Sequence, residues 1–68
     1  MNKVKEYRKA RNRTLEMLAK ACHTSKGHLS DLENSKIKSP SVYLAIKLSK
    51  TLSVSVQKLF PIDESNSG

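Results

Sequence analysis

The chain holds one cysteine, Cys22, no tryptophan, and only two glycines and two prolines among 68 residues. A single thiol forms no intramolecular disulfide, which excludes a disulfide-stapled scaffold and fits a reducing, cytoplasmic setting. Cys22, His23 and His28 match no recognised zinc spacing, and Cys22 falls on an apolar helix face, so no metal site is expected. The same residues lack an orienting third group for a nucleophile, and no glycine-rich stretch could cradle a phosphate, so neither enzymatic activity nor a cofactor is expected. Aromatic residues are scarce as well. Only Tyr7, Tyr43 and Phe60 are present, and Tyr7 and Phe60 sit at positions expected to be buried, which leaves too few stacking platforms for single-stranded RNA. No apolar run approaches membrane-spanning length, and "MNKVKEYRKARNR" has no apolar core of a signal peptide.

Carboxylates are the other shortage. Six Asp+Glu face thirteen Lys+Arg, a formal charge of +7. On so small a surface that excess argues for a polyanionic partner, nucleic acid or an acidic membrane surface, against the plainer reading of a basic surface kept for solubility. The length allows one small domain, expected over residues 1–62, with a polar flexible tail at 63–68. A core of this size is marginal, and dimerisation would strengthen it.

The aliphatic residues recur at helical spacing. Val4, Tyr7 and Ala10 share one face of a first helix over residues 3–11. Thr14 is a good N-cap for "LEMLAKAC", whose inner face is Leu18, Ala19 and Cys22, with Glu16 at the positive end of the helix dipole. Ser25 caps a third helix with Leu29 and Leu32 inside. A basic loop follows, with Lys36 and Lys38. Ser39 as N-cap and Pro40 at the first helical position then open a fourth helix, "VYLAIKLSKTL". That helix is apolar nearly all round, so it is central to the fold or meets another chain. Ser53 and Ser55 separate it from a short fifth helix, "VQKLF", which Pro61 stops.

Two helices joined by about three residues, the second with a polar outer face, form a helix-turn-helix geometry. Leu29 and Leu32 turn inward, so residues 26, 27, 30, 31 and 34 turn outward, where such a helix meets the edges of bases in the DNA major groove. Ala19 is small where the two helices must cross.

Four motifs then stand in order: Thr14-x-x-x-Leu18-Ala19; Ser25-x-x-x-Leu29-Ser30-x-Leu32-Glu33-Asn34; Lys36-x-Lys38-x-Pro40; and Leu52-x-Val54-Ser55-Val56-x-x-Leu59-Phe60. Over residues 4–60 the chain resembles the Cro/cI-type helix-turn-helix regulators, also called the xenobiotic-response-element family. The resemblance implies an all-α bundle of five short helices that binds double-stranded DNA in a sequence-specific way, usually as a homodimer on a near-palindromic operator. It also implies a partly buried ion pair between Arg8 and Glu33. By the same resemblance Val54, Val56, Leu59 and Phe60, with Tyr43 and Leu44 in excess of the core pattern, are candidates for a dimer interface. The family often has glycine where this chain has His23, Ser35 and Ser53, an apolar residue at Arg13, and a polar one at Leu15.

Within that frame Lys26 is the candidate for base readout, with a guanine O6/N7 edge as its natural target. Gly27, His28, Ser30 and Asp31 complete the reading face, with Gly27 allowing close approach and Asp31 suiting a cytosine N4 donor or repelling wrong sites. Thr14, Leu15, Ser25, Asn34, Lys36 and Lys38 are the candidates for phosphate contact, which fixes docking register without reading sequence. Lys3, Lys5 and Lys9 are expected to be general surface charge. The expected role is a repressor that occludes promoter DNA. The rival is an interaction module of the same fold, acting through a regulatory protein partner, for which the apolar fourth helix is the supporting feature.

Overall fold

The computed structural model describes residues 2–37 and 39–61, and the expected tail lies outside the described residues. Five helices run in order: α1 (Val4–Ala10), α2 (Leu15–Ala21), α3 (Lys26–Glu33), α4 (Val42–Leu52) and α5 (Val56–Leu59). Among the described residues there is no strand, and the molecule is an all-α bundle.

Local chemistry sets where each helix begins. The hydroxyls of Thr14, Ser25, Ser41 and Ser55 accept from the backbone N–H of Met17, His28, Leu44 and Lys58, at 3.0 to 3.2 Å. Each satisfies one orphan donor of the first turn. For α4 this corrects the sequence expectation, because Ser41 caps the helix and Ser39 does not. Pro40 therefore precedes the cap instead of occupying the first helical position. Two serines flank the proline, and only Ser41 has its hydroxyl in reach of the Leu44 amide.

The helix ends share a second device. Asn12, His23, Ser35 and Ser53 all lie in the left-handed region, with φ of 56°, 56°, 61° and 56°. The next residue in each case closes a long backbone bond, from Arg13 to Arg8, Thr24 to Ala19, Lys36 to Asp31 and Val54 to Ser49. This is the Schellman arrangement, in which glycine normally supplies the left-handed residue. None of the four is glycine, and each carries a steric cost on the order of 1 kcal/mol. His23, Ser35 and Ser53 are the three positions where the resemblance implies glycine, and Asn12 is not among them.

The core is built from Val4, Leu18, Ala19, Cys22, Leu29, Leu32, Leu44, Leu48, Leu52, Val54 and Leu59, with Tyr7, Leu15, Ile37 and Phe60 packed against it. The centre of the bundle is α4, which touches α1, α2 and α5, while α2 and α3 pack most closely on each other. Ala10, expected on the inner face of α1, is exposed. The helix is only two turns long, and the apolar stripe ends at Tyr7 because the chain beyond turns away through Asn12.

Candidate nucleic-acid interface

Leu29 and Leu32 are fully buried, and this fixes the rotation of α3. Lys26, Gly27, His28 and Asn34 are consequently exposed, and Ser30 and Asp31 are half-buried. A Cβ added at Gly27 would meet nothing within 4 Å, so the fold does not require glycine there. Asn34 donates weakly to the Ser30 hydroxyl, at 3.4 Å. Otherwise the face makes few bonds of its own, and its polar groups remain available to a ligand. Among the described residues the only ion pairs are Lys3–Glu6 and Arg8–Glu33, and no described carboxylate pairs with Lys26 or Lys36.

The flanking positions behave differently from one another. Thr14 and Ser25 are exposed, with their hydroxyls engaged as helix caps. Lys36 is exposed on the loop that leaves α3, and its backbone N–H is anchored on the Asp31 carbonyl at 2.9 Å. Lys38, the other phosphate candidate on that loop, lies outside the described residues. Leu15 is half-buried, with its side chain packed against the core.

Behind this face, the Arg8 guanidinium joins three elements. Its Nε donates to Glu33 Oε2 at 2.7 Å, its Nη2 to Glu33 Oε1 at 3.2 Å, and its Nη1 to the Arg13 carbonyl at 2.9 Å. The pair is a bidentate fork, the geometry in which Arg–carboxylate contacts are strongest. It ties the end of α3 to α1 and to the turn leading into α2. Two participants carried no sequence signal for this role. Arg13 is fixed through its carbonyl, and it brings an exposed cation to the start of α2. Asn2 donates from Nδ2 to the Leu32 carbonyl at 2.7 Å and accepts from the Val4 amide, so it closes the C-terminal end of α3 and the start of α1 together.

The dimer candidates divide. Leu44, Val54 and Leu59 are 4%, 8% and 0% exposed, so they serve the protomer's own core and cannot form a contact surface. The apolar pattern that suggested an interface there is satisfied inside the bundle. Tyr43 and Val56 are exposed and Phe60 is half-buried, so these three remain accessible. Cys22 is buried beside Thr51, away from the α3 face, and burial pushes its thiol above the ordinary range. Among the described residues no group of His, Cys, Asp and Glu could hold a metal ion, and no helix is long and apolar enough to cross a membrane.

The comparisons with known proteins bear on the same elements. The Helix-turn-helix family model matches residues 4–59, which takes in all five helices. A chain of the SinR protein/SinI protein complex is similar, with 34% identity and a TM-score of 0.79 over 94% of this chain and 60% of that one. The present chain therefore spans 60% of the length of that match. The N-terminal DNA-binding domain of the master biofilm regulator SinR from Bacillus subtilis is also similar, at 33% identity and a TM-score of 0.74, covering 88% of this chain and 87% of that one. No curated protein matches. With its helices, their order and the paired α2 and α3 all accounted for, the chain belongs to the Cro/cI-type helix-turn-helix family of DNA-binding transcription regulators.

Proposed function

We propose that the chain is a sequence-specific double-stranded DNA-binding regulator that represses by occluding an operator. The observation that carries this reading is the outer face of α3: exposed from Lys26 to His28, nearly free of internal bonds, and followed by an exposed lysine on the exit loop. Inserted in the major groove, Lys26 reads a base edge, with Gly27, His28, Ser30 and Asp31 alongside. Ser25, Thr14, Asn34, Lys36 and Lys38 hold the phosphates on either side. Two protomers, paired weakly and strengthened by DNA, bind half-sites about one helical turn, roughly 34 Å, apart on a near-palindromic operator.

Selection of bound duplexes from a random DNA pool tests the reading. An enriched motif with two-fold symmetry is the expected result, and no enrichment would remove DNA readout from the function. A second reading, in which the chain acts through a protein partner without reading DNA, is favoured by the apolar exposure of Val42, Tyr43 and Ile46 on α4. The similar chain of the SinR protein/SinI protein complex comes from an assembly with a second protein, which supports looking for a partner here.

A further inference from the structure

The largest apolar exposure lies away from α3. Val42, Tyr43 and Ile46 on α4 are 77%, 58% and 44% exposed, and Val56 on α5 is 39% exposed. Between the two helices is an apolar groove of about 400 Å³, lined by Pro40, Val42, Ala45, Ile46, Val56 and Phe60. Exposing such side chains is unfavourable by roughly 25 cal/mol per Å² of apolar surface, and a soluble domain this small gains nothing for its own core by doing so.

The charges beside the groove select what covers it. Successive turns of α4 carry Val42, Ile46 and Lys50 in one row and Tyr43 and Lys47 in the next, so the apolar strip ends in two cations. Lys47 Nζ lies 5.5 Å from the centre of the Tyr43 ring, which fixes that charge at the border of the strip. From Asn34 to Ile62 the sequence contains no Asp or Glu, so neither α4 nor α5 carries a carboxylate to offset these lysines. A symmetric contact with a second copy would set two such basic strips against each other without compensation. Self-association over this face is therefore weak. A concave cleft between two helices also suits the side chains of an inserted helix better than the flat plane of a bilayer.

We infer that the α4–α5 groove is the docking site for an acidic amphipathic helix of another protein. Its apolar residues enter between Val42, Ile46, Val56 and Phe60, and its carboxylates meet Lys47 and Lys50. This gives the partner reading a chemical class of partner, and it does not depend on DNA recognition. An occupant of this groove also competes with any second protomer held on the same face.

The test uses the full chain without DNA, at concentrations where it sediments as a monomer. The probe is a synthetic helical peptide with leucine at i, i+3, i+4 and i+7 and glutamate on its flanks. A control peptide keeps the leucines and replaces each glutamate with lysine. Amide chemical-shift mapping is expected to show saturable perturbation centred on α4 and α5 with the acidic peptide and none with the control. Charge reversal by Lys47→Glu and Lys50→Glu together is expected to weaken binding about tenfold, and so is Val42→Ser with Ile46→Ser, each variant being checked for native helicity. These four positions lie outside the α3 face, so operator selection with the same variants separates failure here from failure of the DNA reading. The inference is overturned if the acidic peptide perturbs α3 instead, if both peptides bind equally, or if removing residues 62–68 is required before any peptide binds. It is also overturned if no monomer is reached because a second copy covers the groove, or if the groove signals shift only with anionic phosphatidylglycerol vesicles.

Discussion

Arg8 and Glu33 are 25 residues apart in sequence and 2.7 Å apart in space. Their side chains are only 11% and 4% exposed, so the pair is largely withdrawn from water. The desolvation of two charges offsets much of their attraction, whereas loss of one partner leaves the other buried and unpaired. Glu33→Ala is therefore expected to destabilise the chain by roughly 3 kcal/mol. Arg8→Met with Glu33→Leu is expected to recover most of that loss, because both desolvated charges are gone. Urea midpoints of the three chains decide the matter. A double variant clearly less stable than Glu33→Ala would show that the Arg8 bond to the Arg13 carbonyl, which only the double variant removes, is the main contribution.

The left-handed positions offer the opposite kind of change. His23→Gly and Ser53→Gly each relieve the steric cost of a side chain at φ 56°. Glycine also gains freedom in the unfolded chain, which returns part of the benefit. Each substitution is expected to raise stability by up to about 1 kcal/mol, and the two together are expected to add. His23→Gly should leave operator preference unchanged, since residue 23 lies in the turn ahead of α3. An unchanged or lower unfolding midpoint would show that unfolded-state entropy outweighs the strain.

These residues also show where sequence is informative. Hydroxyl caps at Thr14 and Ser25 are legible because a short side chain bonding its own helix leaves a local pattern, whereas Ser55 reads in the sequence only as a break before α5 and its capping bond to Lys58 emerges in the structure. The α4 cap is ambiguous because Ser39 and Ser41 flank the same proline, and the hydrogen bond to Leu44 exists only in three dimensions. The outward face of α3 follows from Leu29 and Leu32 alone. In α4 the composition is apolar nearly all round, and only packing against α1, α2 and α5 separates buried Leu44 from exposed Tyr43. The Asn2 bond to the Leu32 carbonyl and the Arg8 bond to the Arg13 carbonyl were illegible, since any residue offers a backbone acceptor.

Cys22 links stability to alkaline pH. Burial raises its thiol pKa, against smaller lowering effects from the Thr51 hydroxyl and Lys47. In the unfolded chain the thiol ionises at its ordinary, lower value. Above that pH the unfolded state binds fewer protons than the folded state, so this contribution is fully present below the unfolded pKa and is lost as pH rises toward the folded one. Cys22→Ala leaves a small cavity and lowers stability at neutral pH by roughly 1 kcal/mol. The gap between variant and parent is expected to hold at neutral pH and to narrow only as the pH rises past the ordinary thiol value of 9.0. Urea midpoints across that rise in pH measure it, and a constant gap would show that the thiol does not couple to folding.

On the proposed function, reading and holding separate at Lys26 and Lys36. Residue 26 opens the helix whose outer face is free, and residue 36 is exposed on the loop that leaves its other end. On the proposed orientation the first turn of α3 points at base edges, while the loop passes the sugar-phosphate wall. Lys36→Ala is then expected to weaken all duplexes about equally and to make the salt dependence of log K shallower by about 1 for each phosphate no longer neutralised. Lys26→Ala is expected to cost about 1–3 kcal/mol on the selected operator and to relax preference at one base pair per half-site. Both variants are titrated on that operator and on its single-base variants at several salt concentrations. Uniform weakening by Lys26→Ala, with base preferences intact, would move readout to His28, Ser30, Asp31 or the shape of the DNA, because a phosphate contact carries no base identity.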